Sequence, residues 1–497
     1  MNYISTRDKT QKVPSAVAIA NGISKEGGLF VPESFPQITE ERLLKLSKMS
    51  YTERAKNILG DFLTDFTDDE LYHCVTGAYT DKFEDDSVTR IAKLGDDIYM
   101  LELWHGPTCA FKDMALQLLP YLLKTSAEKT VDGKEIVILV ATSGDTGKAA
   151  LEGFKDVEGT RIMVFYPEQG VSPMQKLQMA TQEGENVTVC AIKGNFDDAQ
   201  TAVKQIFTDK ALAERLAANN MMFSSANSIN WGRLVPQIVY YISAYCDLLA
   251  DEEIAIGDKI NVCVPTGNFG NILAAYYAKK MGLPIAKFIC ASNENNVLTD
   301  FIRTGTYNKK REFHATISPS MDILISSNLE RLLFSLYEGN DVAVKKLMSN
   351  LNERGSYAVS DVVREHLQAE FYGGYCDDVS TKATIKNTFK NYSYLCDTHT
   401  AVAMNVYNGY VKETGDKTKT VIASTASPFK FAQSVLESVA GTTDGFTEFE
   451  MTDKLAELTG CAVPDSLALL KDKAPRFADV CNKAKIEEYV VSQLNLK

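Results

Sequence analysis

From about Ile91 onward the chain alternates short β-branched apolar runs with stretches of helical period, and this alternation constrains the fold more than any other feature. Ile136-Val-Ile-Leu-Val140 ends in Ser143-Gly-Asp-Thr-Gly147, and a helix-like run follows from Lys148 to Phe154. Strand signals recur at Arg161 to Tyr166, Val187 to Ile192, Asn261 to Val264, Lys287 to Cys290 and Thr420 to Ala423. Helical runs follow Asp197 and span Ile272 to Met281. Short continuous apolar strands separated by helices predict βαβ units and a parallel sheet buried on both faces. Such sheets take ligands at the carboxyl ends of their strands. Both glycine-rich loops, Ser143 to Gly147 and Gly267-Asn-Phe-Gly-Asn271, lie at such ends, immediately before a helix.

The flanking regions read differently. Residues 1–90 mix a glycine turn at Lys25-Glu-Gly-Gly28 with segments of helical period, Thr39 to Phe62 and Asp68 to Thr80. The charged Phe83-Glu-Asp-Asp86 marks a boundary, and a small N-terminal domain is expected before it. Residues 301–397 lose the strand-helix rhythm, are polar and helical in period, and carry a turn-like Gly373-Gly374. They are expected to form a helix-rich insertion, leaving 91–300 and 398–497 as the α/β core. A chain of 497 residues exceeds one core. Its net charge of -13 argues against a general affinity for nucleic acid. Ten cysteines without CxxC pairs, several inside apolar runs, point to buried reduced thiols rather than to a metal or disulfide framework. No apolar run is long enough to span a membrane and the first residues lack a signal-peptide core, so a soluble cytoplasmic protein is expected.

Lys112 lies where a loop holding Gly106 and Pro107 gives way to a helix-like run from Met114 to Lys124. The positive end of a helix dipole disfavours an ammonium, and burial between Phe111 and Met114 acts in the same sense. A neutral amine can attack a carbonyl, as a Schiff-base lysine must. Gly267 to Asn271 has the ingredients of a phosphate cradle, its glycines permitting torsions that turn successive N–H groups inward; a plain β-to-α turn is equally compatible. Ser143 to Lys148 is not a nucleotide P-loop, because its glycines are too close together and Ala149 stands where a magnesium-binding hydroxyl belongs. It suits a small carboxylate, held by Ser143, Thr146 and backbone N–H groups, with Asp145 as a local cap. An amine nucleophile, a phosphate cradle and a carboxylate loop together describe pyridoxal phosphate acting on an amino acid.

The motifs carry a resemblance that covers nearly the whole chain. They are Tyr3-Ile-Ser-Thr-Arg7, Gly27-Gly-Leu-Phe-Val-Pro32, His105-Gly-Pro-Thr-Cys-Ala-Phe-Lys-Asp113 and Thr142-Ser-Gly-Asp-Thr-Gly147. Asn227-Ser-Ile-Asn-Trp-Gly-Arg233, Gly267-Asn-Phe-Gly-Asn271 and Ser318-Pro-Ser-Met-Asp322 follow, then Asp397-Thr-His-Thr-Ala-Val402 and Ser424-Thr-Ala426. In this order they resemble the threonine synthase family, of the long form with an N-terminal domain. The resemblance implies a fold-type II pyridoxal-phosphate enzyme of tryptophan-synthase-β-like fold, with parallel-sheet domains flanked by helices. It implies that Lys112 forms the Schiff base, that Gly267, Asn268, Phe269, Gly270 and Asn271 bind the cofactor phosphate, and that Thr425 meets the pyridine nitrogen. Cys109, Gly232 and Thr398 depart from the residues expected of relatives; none touches the lysine or the cradle.

The implied reaction converts O-phospho-L-homoserine and water to L-threonine and phosphate by γ-elimination and β-hydration, a carbon–oxygen lyase step ending threonine biosynthesis. Ser143, Asp145, Thr146, Lys148, Asn227, Arg233, Ser318 and Ser320 are substrate-binding candidates by motif membership. His105 and His399 are read as structural rather than catalytic. No metal is expected, and no partner beyond the small-molecule substrate except, at most, a second copy of the chain: monomer or homodimer. The rival readings are a phospho-lyase releasing ammonia and a keto acid, and a catalytically silent ligand-binding relative.

Overall fold

The computed structural model describes residues 1–130, 133–142, 144–168, 171–194 and 196–496. The strand-helix rhythm resolves into two parallel sheets rather than one. The larger has six strands in the order Phe371–Tyr375, Ile285–Ser292, Ile260–Pro265, Thr420–Ser424, Ile98–Glu102 and Arg90–Lys93, with only the last pairing antiparallel. The smaller has five parallel strands, Val480–Asn482, Val187–Lys193, Thr160–Pro167, Glu135–Ala141 and Met221–Ser224. The two glycine loops therefore belong to different sheets. Gly267 to Asn271 leaves the larger and Gly144 to Gly147 the smaller, and Lys112 reaches groups on both sides.

The helices of the smaller domain pack against the lysine segment at backbone distance. Lys112 leads into a short helix, Asp113–Leu116, followed by a second, Leu119–Thr130, where the periodicity predicts one continuous run. Helix Asp145–Phe154 crosses the first closely enough that a Cβ at Gly153 would stand 2.0 Å from the Leu116 carbonyl oxygen. This contact sets how near Asp145 comes to Lys112. Gly153→Ala should accordingly cost about 1–3 kcal/mol of overpacking strain. Urea unfolding reads the loss, and a variant as stable as the parent would show that the two helices can slide apart.

The N-terminal region forms a three-stranded antiparallel sheet, Asp8–Val13, Tyr3–Ser5 and Phe30–Pro32, with helices Glu40–Leu46, Tyr51–Phe62 and Asp68–Tyr79. Ser50 with Glu53 and Thr67 with Glu70 form capping boxes that begin the last two, satisfying N–H groups that the first turn leaves open. Tyr51–Phe62 lies on helix Trp231–Ala250, and Asp68–Tyr79 packs on Tyr51–Phe62 and on Leu119–Thr130; helix Trp231–Ala250 is buried almost all round and carries Arg233 in its first turn. Asn230 caps that helix by accepting the Gly232 N–H at 2.9 Å.

Gly373-Gly374 is not a turn. Both residues lie in strand Phe371–Tyr375, paired with Cys290 and Ala291. Helices pack on this strand so closely that a Cβ at Gly373 would stand 3.1 Å from the Thr299 Cα and one at Gly374 2.6 Å from a Val406 methyl. The glycines admit neighbouring helices, a tertiary cause that mimics turn composition. The stretch 301–397 is helix-rich, with Leu329–Leu336, Asp341–Arg354, Asp361–Glu370 and Asp378–Tyr392, but it returns to supply this edge strand. All ten cysteines are unpaired, and no helix among the described residues is long and apolar enough to cross a membrane.

Candidate active site

The loop before Lys112 is shaped by its neighbour Asp113, whose carboxylate accepts the Thr108 N–H at 2.8 Å and the Thr108 hydroxyl at 2.6 Å. Cys109 takes a left-handed φ of 56°, and the Phe111 N–H donates to the Thr425 carbonyl at 2.8 Å. Lys112 is thereby clamped to the end of strand Thr420–Ser424. Its side chain is buried, with Nζ donating to Ser320 Oγ at 3.2 Å and lying 3.5 Å from Asp145 Oδ2. Burial lowers the amine pKa to about 8; Asp145 opposes this, while Arg233 and Lys430 add to it.

Asp145 opens its helix from a turn in which Thr142 Oγ1 accepts the Gly144 and Gly147 N–H groups at 3.0 and 2.9 Å. Its Oδ1 receives Lys430 Nζ at 2.6 Å and Gln175 Nε2 at 2.8 Å. Burial alone would raise this carboxyl, but the Lys430 and Lys112 charges overcome it and hold the group well below the usual carboxylate range. Ser143 lies outside the described residues. Thr146 is half-buried in the first helical turn. Lys148, grouped by motif with the substrate contacts, has its charge already balanced, by Glu152 at 2.9 Å and by the Gln182 amide oxygen.

Across the cleft, helix Gly270–Lys280 begins at the second loop. The left-handed torsion falls on Phe269, φ 65°, and not on either glycine, which corrects the expectation for Gly267 and Gly270. Gly267 serves close approach instead: a Cβ there would stand 2.6 Å from the Ser320 carbonyl oxygen. The N–H groups of Gly270, Asn271 and Ile272 are the open donors of the first turn. The Asn268 carbonyl accepts the Asn328 N–H at 3.0 Å and its side-chain amide at 3.1 Å, while the Gly267 carbonyl accepts the Ser326 hydroxyl at 2.8 Å. Asn271 Oδ1 accepts the Tyr241 hydroxyl, and its buried Nδ2 has no partner among the described residues. Asn328 is fixed by fully buried Arg331, which also donates to the Phe30 carbonyl of the N-terminal sheet at 3.0 Å.

Ser320 is presented by the 318–322 turn, which Asp322 ties down by accepting the Asn293 amide at 2.7 Å and the Thr316 hydroxyl at 2.7 Å. Ser318 is buried within that network, taking the Asn293 amide at 3.1 Å. The Ser320 N–H donates to His399 Nε2 at 3.1 Å, and His399 Nδ1 donates to Asp397 at 2.9 Å. His105 lies between Glu84 at 2.6 Å and Glu102 at 2.8 Å. Both histidines are thus engaged by the scaffold. Thr425 is buried beside Lys112's loop, its N–H donating to Thr400 Oγ1 at 3.2 Å and its hydroxyl having no partner among the described residues. Asn227 shapes the turn before helix Trp231–Ala250 by accepting the Asn230 N–H on its carbonyl at 3.0 Å. Arg233 is 5% exposed, donates to the Ala226 carbonyl at 2.8 Å, and has no carboxylate partner among the described residues. Burial lowers its pKa to about 10.

These residues fit pyridoxal phosphate on three counts: an orphaned buried amide and open helix N–H groups for a phosphate, a depressed amine for an aldehyde, and an unengaged hydroxyl for a ring nitrogen. Gly267→Val should push Ser320 away and weaken cofactor binding at least tenfold, the equivalent of about 1.4 kcal/mol or more. Fluorescence titration of cofactor into the apoprotein checks this; unchanged affinity would mean that the loop is only a turn. Lys430, Gln175, Asn328 and Arg331 escaped the sequence reading. Of these, Lys430 left a signal, a lone lysine in the apolar run Pro428-Phe-Lys-Phe-Ala432.

Family models described as "Threonine synthase N terminus", "Pyridoxal-phosphate dependent enzyme" and "Threonine synthase, C-terminal" match residues 2–79, 87–426 and 400–490. The chain is 40% identical over 456 residues to the Homo sapiens protein named threonine synthase-like 1, covering 88% of this chain and 60% of that protein, so it spans somewhat more than half that relative's length. It is 36% identical over 467 residues to Saccharomyces cerevisiae threonine synthase, covering 88% and 89%. Its structure is similar to that of a pyridoxal-phosphate-bound threonine synthase from Brucella melitensis, with a TM-score of 0.87 and 35% identity over 99% of this chain and 98% of that one. With the lysine, both loops and the unengaged threonine hydroxyl in place on this fold, the chain belongs to the threonine synthase family of fold-type II pyridoxal-phosphate-dependent enzymes.

Proposed function

We propose that the protein converts O-phospho-L-homoserine and water to L-threonine and phosphate. The observation that carries this reading is Arg233, a buried guanidinium without a carboxylate partner among the described residues, near enough to Lys112 to depress its amine. A buried unpaired cation is costly, and an anionic ligand relieves that cost. The helix at Gly270 offers a separate phosphate place, so the pocket suits a substrate with a phosphate of its own.

Pyridoxal phosphate, when bound, supplies the electron sink for proton loss beside the substrate's amine. Lys112, neutral for a substantial part of the time at pH 8, takes the Cα proton and is placed to move further protons. Ser320 accepts from this amine and fixes its direction. The turn from Gly144 to Thr146 holds the substrate carboxylate, and Arg233 holds the phosphate as it departs. Thr425 would meet the ring nitrogen of the bound cofactor with a hydroxyl, which does not charge it. Few of these groups meet bulk water, which strengthens each interaction.

The Thr425 role gives an ordered expectation: Thr425→Ser close to the parent, Thr425→Ala slower, Thr425→Asp slowest with altered visible spectra, because a carboxylate there favours a protonated ring. Steady-state rates and spectra of the three variants test it; a wild-type-like Thr425→Asp would remove the residue from this role.

A second reading, a lyase, is open to the same site, since identity to the protein named threonine synthase-like 1, at 40%, exceeds that to the yeast threonine synthase, at 36%, and family membership alone does not fix the product. In it, the same proton removal ends in ammonia and a keto acid. Incubation of purified holoprotein with O-phosphohomoserine separates the two. Threonine and phosphate in equal amounts support the synthase; ammonia and keto acid support the lyase; neither product would refute both.

A further inference from the structure

Two amines and one carboxylate meet in the buried space between the sheets. Lys430 is fully buried, between Asp145 Oδ1 at 2.6 Å and the Thr108 carbonyl at 2.9 Å. Lys112 approaches the other oxygen, Oδ2, at 3.5 Å. Gln175 donates to Oδ1 from a third direction. One carboxylate balances one ammonium, and a second ammonium would be a buried uncompensated charge worth several kcal/mol of desolvation. The distances decide which amine keeps the proton: Lys430 makes a short charge-assisted contact and Lys112 does not.

Further groups border this space. Arg233, from helix Trp231–Ala250, sets a further positive charge against Lys112. His399, across Ser320, is turned away from Lys112 by the Ser320 N–H, which its Nε2 accepts at 3.1 Å. Among the described residues, Asp145 is the carboxylate within ion-pair distance of Lys112.

We propose that Lys430 is a positioning residue whose charge neutralises Asp145, so that Asp145 does not hold a proton on Lys112 and Lys112 stays an uncharged nucleophile. This rests on Lys112 being the amine that meets the cofactor's aldehyde. Lys430 itself touches neither substrate nor cofactor in this role. It also holds the loop of Lys112 through Thr108, so the test separates charge from scaffolding.

The test is acylation of Lys112 in the full-length, cofactor-stripped protein by acetic anhydride, followed by peptide mass spectrometry from pH 6 to 11. In the parent protein the labelling midpoint should lie near 8. In Lys430→Met, Asp145 has only Lys112 left to pair with, and the midpoint should rise by about one pH unit, a tenfold loss of labelling at pH 7. Lys430→Arg should restore the parent profile, since it returns the charge. In the Asp145→Asn background, adding Lys430→Met should produce a smaller rise, because only the direct repulsion between the two ammonium groups is then removed. Should Lys430→Met fail to fold, Lys430→Gln takes its place in the same titration: a raised midpoint supports the proposal, and one that stays near 8 overturns it. A depressed parent midpoint that Lys430→Met leaves unmoved would overturn this proposal alone. A parent midpoint near 10 would overturn the reading of Lys112 itself.

Discussion

Lys112→Ala should abolish turnover, with a loss of at least about 10⁴-fold, since it removes both the amine for the cofactor and the base for the substrate. Its visible absorbance with cofactor should revert to that of the free aldehyde. The fold should survive. Truncation leaves Asp145 still paired with Lys430 and Gln175, so no buried charge is orphaned. The hydroxyl of Ser320 loses a donor but stays beside the solvent-sized gap that the lysine vacates. A variant that turned over at a measurable rate without added amines would show that another group does this chemistry.

Arg233→Leu should separate stability from activity. The guanidinium is buried with a single carbonyl for a partner among the described residues, so replacing it with the shorter leucine removes a desolvated charge whose relief offsets the packing lost, and leaves stability unchanged or raised. The kcat/KM for a phosphorylated substrate should fall by about 2–5 kcal/mol of transition-state binding, thirtyfold to several thousandfold, as when one partner of a buried charge pair is truncated. Opposite signs in the two measurements mark a residue kept for a ligand rather than for the fold. Equal kcat/KM in variant and parent would place the substrate phosphate elsewhere.

The strands visible in the sequence were those buried on both faces. Glu135–Ala141, Thr160–Pro167 and Ile260–Pro265 are runs of apolar residues, and burial leaves no other composition available. Of the strands that escaped, Arg90–Lys93, Phe371–Tyr375, Met221–Ser224 and Val480–Asn482 sit at sheet edges, where Arg90–Lys93 is partly exposed and Phe371–Tyr375 thins to glycine so that helices can approach; Ile98–Glu102 is interior but short and poor in β-branched residues. Division into two sheets was not legible, because each βαβ unit reads the same whichever sheet it joins.

At the site, geometry written in contiguous residues was legible: Lys112 before its helix, and a glycine loop ahead of each of two helices. Contacts assembled from distant segments were not. Lys148 and Lys430 are both lysines in apolar company, and only the fold turns one toward Glu152 and the other toward Asp145. Arg331 likewise joins the N-terminal sheet to the Asn328 amide that supports the Gly267 to Asn271 loop, across a separation in sequence that no local pattern records.

The central claim is that this chain places its cofactor on Lys112. Borohydride reduction of the holoprotein followed by peptide mapping tests it most directly, because reduction makes the lysine–cofactor bond permanent. The pyridoxyl group is expected on Lys112 alone, in the peptide containing Phe111 and Asp113. Its recovery on Lys148, on Lys430 or on no lysine at all would contradict the account.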